Sequence, residues 1–190
     1  MNKKIIIALV VAIAVLGLGA GIYFSRNAGK PPAAKSRPIS NVTYPAPCRN
    51  PKIYKTLKEA EALKDPQKVC HLDLSRSDIT ELSPEIAKFA NLEDLNLSGN
   101  KLSKLPPELF ELKNLRMLYL DENALSEIPP QIGELVRLHM LSMFSNQLTA
   151  LPAETAKLSD LEILGLTGNK IAEKEQSAIK NLLPYAQIIF

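Results

Sequence analysis

Tryptophan is absent from this chain, and aromatic residues make up only 5% of it. The apolar 46% of its 190 residues is therefore aliphatic, and chiefly leucine. Two cysteines are too few to build a disulfide scaffold, and no CxxC or Cys/His cluster has the spacing that zinc needs. Acid is missing from one end. All 20 Asp and Glu lie after residue 58, while residues 1–47 carry six basic residues: Lys3, Lys4, Arg26, Lys30, Lys35 and Arg37. The rest of the chain sets 17 basic against 20 acidic residues, a net charge of −3. A basic leader on a mildly acidic body argues against nucleic acid as the partner of that body. The charged fraction of 23% is ordinary, which excludes wholesale disorder and collagen-like repeats. The length allows one ordinary domain or two small ones.

Charge is missing again over 5–24, where Ile5 to Phe24 form an unbroken uncharged run. A helix of that length spans about 30 Å, the thickness of the hydrocarbon core. Residues 1–4 form a short N-tail with Lys3 and Lys4, and Tyr23 and Phe24 stand at the far end as interface residues. This predicts a transmembrane helix or signal-anchor, a single-pass membrane attachment. A cleaved signal peptide, with a site near Gly19-Ala20-Gly21, is the rival reading, but its apolar region usually runs only about 7–15 residues. No cysteine follows the run closely, so a lipoprotein anchor is unsupported. Basic residues flank both ends, which leaves orientation open. The short tail running straight into the apolar stretch fits an export signal-anchor, with the body outside the cytoplasm. Secretion after cleavage and a cytoplasmic-facing body are the alternatives.

Residues 25–47 contain Pro31, Pro32, Pro38, Pro45 and Pro47 among Gly, Ala and Ser. Proline fixes φ and donates no backbone hydrogen bond, so this basic segment is expected to be a semi-extended linker without a core. Asn41-Val42-Thr43 and Asn96-Leu97-Ser98 match the short glycosylation triplet, a pattern too frequent by chance to carry weight.

The body repeats itself. From Leu92 it reads LEDLNLSGNKLSKLPPELFELKN, and from Leu115 LRMLYLDENALSEIPPQIGELVR. Leu138 opens LHMLSMFSNQLTALPAETAKLSD, Leu161 opens LEILGLTGNKIAEKEQSAIKNLL, and Val69 opens VCHLDLSRSDITELSPEIAKFAN. Five ungapped 23-residue units thus cover 69–183 (69–91, 92–114, 115–137, 138–160 and 161–183). The unit resembles the leucine-rich repeat family, L-x-x-L-x-L-x-x-N-x-L, filled by Leu92, Leu95, Leu97, Asn100 and Leu102 and again by Leu115, Leu118, Leu120, Asn123 and Leu125. Its continuation at Leu105, Pro106, Leu109 and Leu112 is similar to the 23-residue intracellular and bacterial class. The resemblance covers 69–190 and implies an α/β leucine-rich repeat solenoid. That fold is a short curved horseshoe with a parallel β-sheet on its concave face, here preceded by one transmembrane helix.

The residues themselves lead to the same fold. Alternation places Leu95 and Leu97 inward and Asp94 and Asn96 outward, as a strand requires. No unit buries its leucines alone; stacking joins them into one core. The asparagine column Asn100, Asn123, Asn146 and Asn169 is expected to be structural, with Asn100, Asn123 and Asn146 buried against backbone groups. The end units depart from the pattern, with Ser77 for Asn, Ser83 for Pro, and Lys174-Glu175 for Leu-Pro. Residues 48–68 form an N-terminal cap, where Thr56-Leu57-Lys58-Glu59 fits a capping box opening a helix that Asp65-Pro66 ends. Glu173 to Leu183 is expected to be a helix with Ala178, Ile179, Leu182 and Leu183 on its apolar side. Residues 184–190 would close the array with a strand at Ile188, Ile189 and Phe190. Cys48 and Cys70 bracket the cap helix; a bridge between them and two free thiols both fit.

No catalytic, metal-binding or cofactor-binding set emerges. His71 and His139 are two whole units apart, too far to share a metal, and are expected to be solvated. Asp94-x-Asn96 and Asp121-Glu122 lack a loop of oxygen ligands and are likewise expected to be solvated. No G-x-S-x-G, Cys/His pair or phosphate-binding glycine loop appears. Two readings remain: a non-enzymatic module holding a protein or peptide on its concave sheet, or a spacer of an envelope assembly with no concave ligand. The outward columns favour the first. They run His71, Asp94, Met117, Met140, Ile163; then Asp73, Asn96, Tyr119, Ser142, Gly165; then Ser75, Ser98, Asp121, Phe144, Thr167. Met117, Tyr119, Met140, Phe144 and Ile163 would form an exposed apolar patch, with Ser142 and Gly165 leaving space beside Tyr119. The alternative is that sheet propensity alone tolerates these residues, or that the tether or a second copy covers them.

Overall fold

The computed structural model describes Cys48 and residues 52–190. The anchor expected over 5–24 and the linker over 25–47 lie outside the described residues, and among those described no helix is long and apolar enough to cross a membrane.

Seven short strands, β1 (Ile53–Tyr54), β2 (His71–Asp73), β3 (Asp94–Asn96), β4 (Met117–Tyr119), β5 (Met140–Ser142), β6 (Ile163–Gly165) and β7 (Gln187–Ile189), pair in parallel in chain order. The register repeats at every step: His71, Asp94, Met117, Met140, Ile163 and Gln187 are successive cross-strand partners. From His71 to Ile163 the step is the constant 23-residue unit, which keeps the leucines on one side of the pleat; the 24 residues from Ile163 to Gln187 place the extra residue in the connection between the strands. Leu72, Leu95, Leu118, Leu141 and Leu164 are the core-facing leucines of the strands. They join Phe89, Phe110 and the remaining unit leucines in one continuous core.

The return segments are 3-10 turns: Pro84–Lys88, Pro107–Glu111, Pro130–Glu134 and Ala153–Lys157. Proline at or just before the start of each leaves i→i+3 bonds such as Leu109 N to Pro106 O. Ser83, standing where other units have proline, accepts from the Glu85 amide and caps its turn instead. The last unit has no proline here, and its segment becomes a true helix over Glu173–Leu182.

The N-terminal cap differs from expectation. Its helix α1 runs only over Leu57–Glu61. Thr56 accepts from the Glu59 amide at 3.0 Å, but the Glu59 carboxylate reaches back to the Lys55 amide, one residue earlier than a capping box requires. Asp65 does not end α1; it caps a separate turn over Pro66–Lys68, because the residue before a proline avoids the helical region. The strand β1 was not anticipated. Cys48 and Cys70 are joined by a disulfide, Cα–Cα 5.8 Å, which ties the cap to the chain just before β2. At the other end the helix Glu173–Leu182, here α2, buries Ile179, with Leu183 buried beyond its last turn, but Ala178 is exposed. Ala178 lies one residue, about 100° of turn, from Ile179 and so falls off the buried stripe.

The asparagines lock one unit to the next. Asn123 Nδ2 donates to Leu97 O of the preceding unit at 3.0 Å and to Leu120 O and Asp121 O of its own, while its Oδ1 accepts from Leu102 N at 2.9 Å. Asn146 and Asn169 repeat this one and two units on. Asn100 accepts from both Ser77 N and Ile79 N. Asn100 and Asn146 are buried, but Asn123 and Asn169 are half-buried. The residue before each asparagine position has positive φ: Arg76, Gly99, Glu122, Ser145 and Gly168. Glycine holds this conformation without strain, which accounts for Gly99 and Gly168.

Asn123→Ala would leave Leu102 N without its acceptor and remove one of the two donors from each of Leu97 O, Leu120 O and Asp121 O, which keep Asn100 Nδ2, Asn146 Nδ2 and Gly99 N. Loss of about 1–3 kcal/mol is expected, measured as a lower thermal midpoint with the folded circular dichroism retained; an unchanged midpoint would contradict the role. Thr155 occupies the turn position held by Ile86, Leu109 and Ile132 in other units. Its hydroxyl is buried without a hydrogen-bond partner among the described residues. Thr155→Val keeps the shape and removes the stranded polar group, so it should raise stability by about 1 kcal/mol in urea denaturation.

Candidate concave-face site

Register decides what the concave face presents. At the strand spacing of about 4.8 Å, Met117, Met140 and Ile163 stand side by side on β4, β5 and β6. All three are half-buried, so each offers part of its side chain to solvent. Gln187 continues the row in polar form on β7.

Tyr119 and Phe144 do not belong to the exposed patch. They are 3% and 9% exposed. The space expected at Gly165 is filled: a Cβ there would come within 2.5 Å of Phe144 Cζ. The phenyl ring lies over the glycine of the neighbouring strand, which buries the ring and covers bare backbone. Tyr119 is sunk between its neighbours, and its hydroxyl donates to Met117 Sδ at 3.5 Å. Burial pushes its phenol well above the ordinary value, reinforced by the charges of Asp94 and Asp121, so it remains a neutral donor.

Asp121 corrects a second expectation. It is buried, not solvated. Its Oδ1 accepts from Ser142 Oγ at 2.5 Å and from Phe144 N at 2.7 Å, and Ser98 Oγ stands 3.5 Å from its Oδ2. Burial raises its pKa, and the three hydrogen bonds only partly offset this. Towards the N-terminal end the face is polar and acidic. Asp94 Oδ2 meets His71 Nδ1 at 3.3 Å, so His71 is half-buried and partnered where a solvated ring was expected. His139 is also half-buried, its Nδ1 2.7 Å from Arg137 O. Asp73 pairs with Lys55 of the cap and accepts from Ser75. Burial alone would raise the Asp73 pKa, but the bonds from Lys55 and Ser75 outweigh it and hold the carboxyl low.

Sequence reasoning missed one pair. Glu93, immediately before β3, is buried, with Arg116 Nε of the next unit 3.8 Å from its carboxylate. Burial pushes the Glu93 carboxyl up despite the attraction of Arg116, His71 and Arg137. The available signal was opposite charge at the same position of adjacent units. Among the described residues no group of three His, Cys, Asp or Glu converges to hold a metal ion. The site therefore has the means of adhesion: a flexible apolar row, a packed aromatic floor and an acidic flank.

The family model described as a leucine-rich repeat region matches residues 55–183. A leucine-rich repeat protein of Leptospira interrogans is similar at 41% identity and a TM-score of 0.64, covering 65% of this chain and 32% of that one. An internalin of Listeria monocytogenes shares the fold at 23% identity and a TM-score of 0.60, covering 72% of this chain and 38% of its own. A TDR receptor matches at 30% identity and a TM-score of 0.54, over 62% of this chain and 21% of that one. The chain thus spans well under half the length of each of these structures. No curated protein sequence matches it.

Asp121 generates a pH signature. Its folded pKa lies above the ordinary carboxyl value of 3.8, so folding favours the protonated form. That contribution is fully present below the unfolded pKa and is lost as pH rises through the folded one. Asp121→Asn keeps an acceptor for Ser142 and Phe144 but removes the titration. Urea midpoints between about pH 3 and pH 7 should show the unaltered chain losing stability relative to the variant as pH rises. Parallel curves would rule out a buried titrating carboxylate here.

Proposed function

This chain belongs to the leucine-rich repeat family, and we propose that it is a membrane-tethered, non-enzymatic module that holds a protein or peptide partner on its concave sheet. The family and its fold are those of protein-interaction modules. The observation that carries the concave assignment is the row Met117, Met140 and Ile163, three neighbouring apolar side chains facing outward in register. Methionine adapts its unbranched side chain to uneven partners, and a half-exposed apolar row gains free energy when a partner covers it. Tyr119 and Phe144 are buried beside the row and offer the partner little surface of their own.

The tether is residues 5–24, with 25–47 as linker and the repeats outside the cytoplasm. Two features support this placement: the uncharged run long enough to span a bilayer, and the Cys48–Cys70 disulfide, a bond that persists in oxidising compartments. The receptor among the similar structures is consistent with a binding role.

A photo-crosslinking side chain placed at Ile163, with Lys157 on the exposed outer turn as control, tests the reading in intact cells followed by alkaline washing of the membranes. Protein adducts should form at Ile163, not at Lys157, and stay with the washed membranes. Equal adducts at both positions would refute the concave assignment, and release by the wash would refute the tether.

A further inference from the structure

The chain has two cysteines, and both are consumed in the Cys48–Cys70 disulfide. It therefore has no thiol to intercept an oxidant, and thioether sulfur is the next group on the ladder of reactivity. Three methionines lie among the described residues. Met143 is fully buried in the core, whereas Met117 and Met140 are half-exposed cross-strand partners. We propose that Met117 and Met140 form a paired oxidation site that switches the concave face from adhesive to polar, an inference that rests on that face being the partner surface.

The step is balanced with a peroxide as oxidant. A sulfur lone pair attacks the peroxide oxygen, the S–O bond forms as the O–O bond breaks, and the departing oxygen takes up a proton to leave as water. Each sulfur loses two electrons and the peroxide gains them. The product sulfoxide is polar where the thioether was apolar. Once both are converted, two of the three members of the row are polar, and Ile163 alone remains to hold a partner by apolar contact.

The two sulfurs are not equivalent. The buried Tyr119 hydroxyl donates to Met117 Sδ at 3.5 Å, while among the described residues no hydrogen bond reaches the sulfur of Met140. Donation draws on the lone pair that must attack the peroxide, so it slows Met117. Tyr119 is thus a positioning residue that sets the order: Met140 first, Met117 second, Met143 only after unfolding.

Hydrogen peroxide treatment of the full chain in detergent, with peptide mass mapping over time, tests the order. Met140 should gain oxygen several-fold faster than Met117, and Met143 should stay unmodified while the circular dichroism is native. Tyr119→Phe should bring Met117 to the rate of Met140. The chain carrying the crosslinker at Ile163 should lose adducts at least tenfold once both sulfoxides have formed, and methionine sulfoxide reductases should restore them. Equal rates at Met117 and Met140 in the unaltered chain, or oxidation of Met143 at their pace, would overturn the ordered site. Undiminished adducts from the doubly oxidised chain would overturn the switch. Absence of adducts before any peroxide is added would instead refute the concave reading, with the mass map still deciding the oxidation order.

Discussion

One carboxamide per unit holds this array in register. A 23-residue coil must turn sharply after its strand, and the turn strands peptide groups facing the core where water does not reach. Asparagine has two donors and an acceptor on a short stem, the combination that such a turn lacks. Asn123 and Asn146 each bond a carbonyl three residues back and another twenty-six residues back, so one side chain fastens both its own turn and the preceding unit's. Aspartate lacks the donors and leucine lacks both, so the column tolerates neither. The first unit has Ser77 there, and the turn that an asparagine would bind on its far side belongs to no repeat; Asn100 supplies the bonds to Ser77 and Ile79 from above.

With the turns fixed, the sheet face becomes a table whose rows are units and whose columns are pleat positions. Neighbouring columns then compete for the same space. Column-wise reading treats Phe144 and Gly165 as separate outward residues, but the phenyl ring reaches diagonally onto the adjacent strand and covers the missing side chain. Asp121 is drawn inward by the same packing, because Ser142 Oγ and the Phe144 amide need an acceptor under that ring. A buried carboxylate is costly, and here it is the consequence of a local polar knot that orients the aromatic floor. The row of Met117, Met140 and Ile163 stays on top because it lies on the strand position farthest from this knot.

The fold was legible because its signals repeat. A leucine or asparagine that recurs every 23 residues fixes strand, turn and register five times over, and the cross-strand partners follow by counting. The Cys48–Cys70 pairing was legible as one of two alternatives, from its place around the cap. The cap helix opened by Thr56, the helix after Glu173 and the closing strand were legible from caps and apolar spacing, though each occurs once. What was not legible is the strand Ile53–Tyr54 and the end of α1, whose bounds follow from local competition at Asp65-Pro66 and around Lys55. Burial of Tyr119, Phe144 and Asp121 depends on contacts between units at offset positions, which a period cannot express. The glycine at an outward strand position beside an aromatic of the next strand was the one signal available, and it was read as empty space rather than as a seat.

A repeat array is nearly one-dimensional, so its stability is a sum of neighbour contacts and its ends each lack one neighbour. The two ends are sealed by different means. At the first, α1, β1 and the disulfide to Cys70 cover the leucines, and a closed loop of this size limits the unfolded chain by about 3 kcal/mol in the chain-entropy account. At the other, α2 packs on the last unit and β7 is held by its hydrogen bonds to β6, without a covalent link, with Ile188 and Phe190 half-buried and Tyr185 82% exposed. Among the described units, opening is therefore easier on the α2–β7 side, where no disulfide opposes it. The apolar row spans β4 to β6, and its last member Ile163 pairs with Gln187 of the sealing strand. A partner seated on that row would bridge the units most prone to separate, so binding would stabilise the weaker end of the molecule by mass action. Adhesion and end-sealing then draw on the same strands, which is a physical reason for the sticky residues to lie in the C-terminal half rather than beside the disulfide.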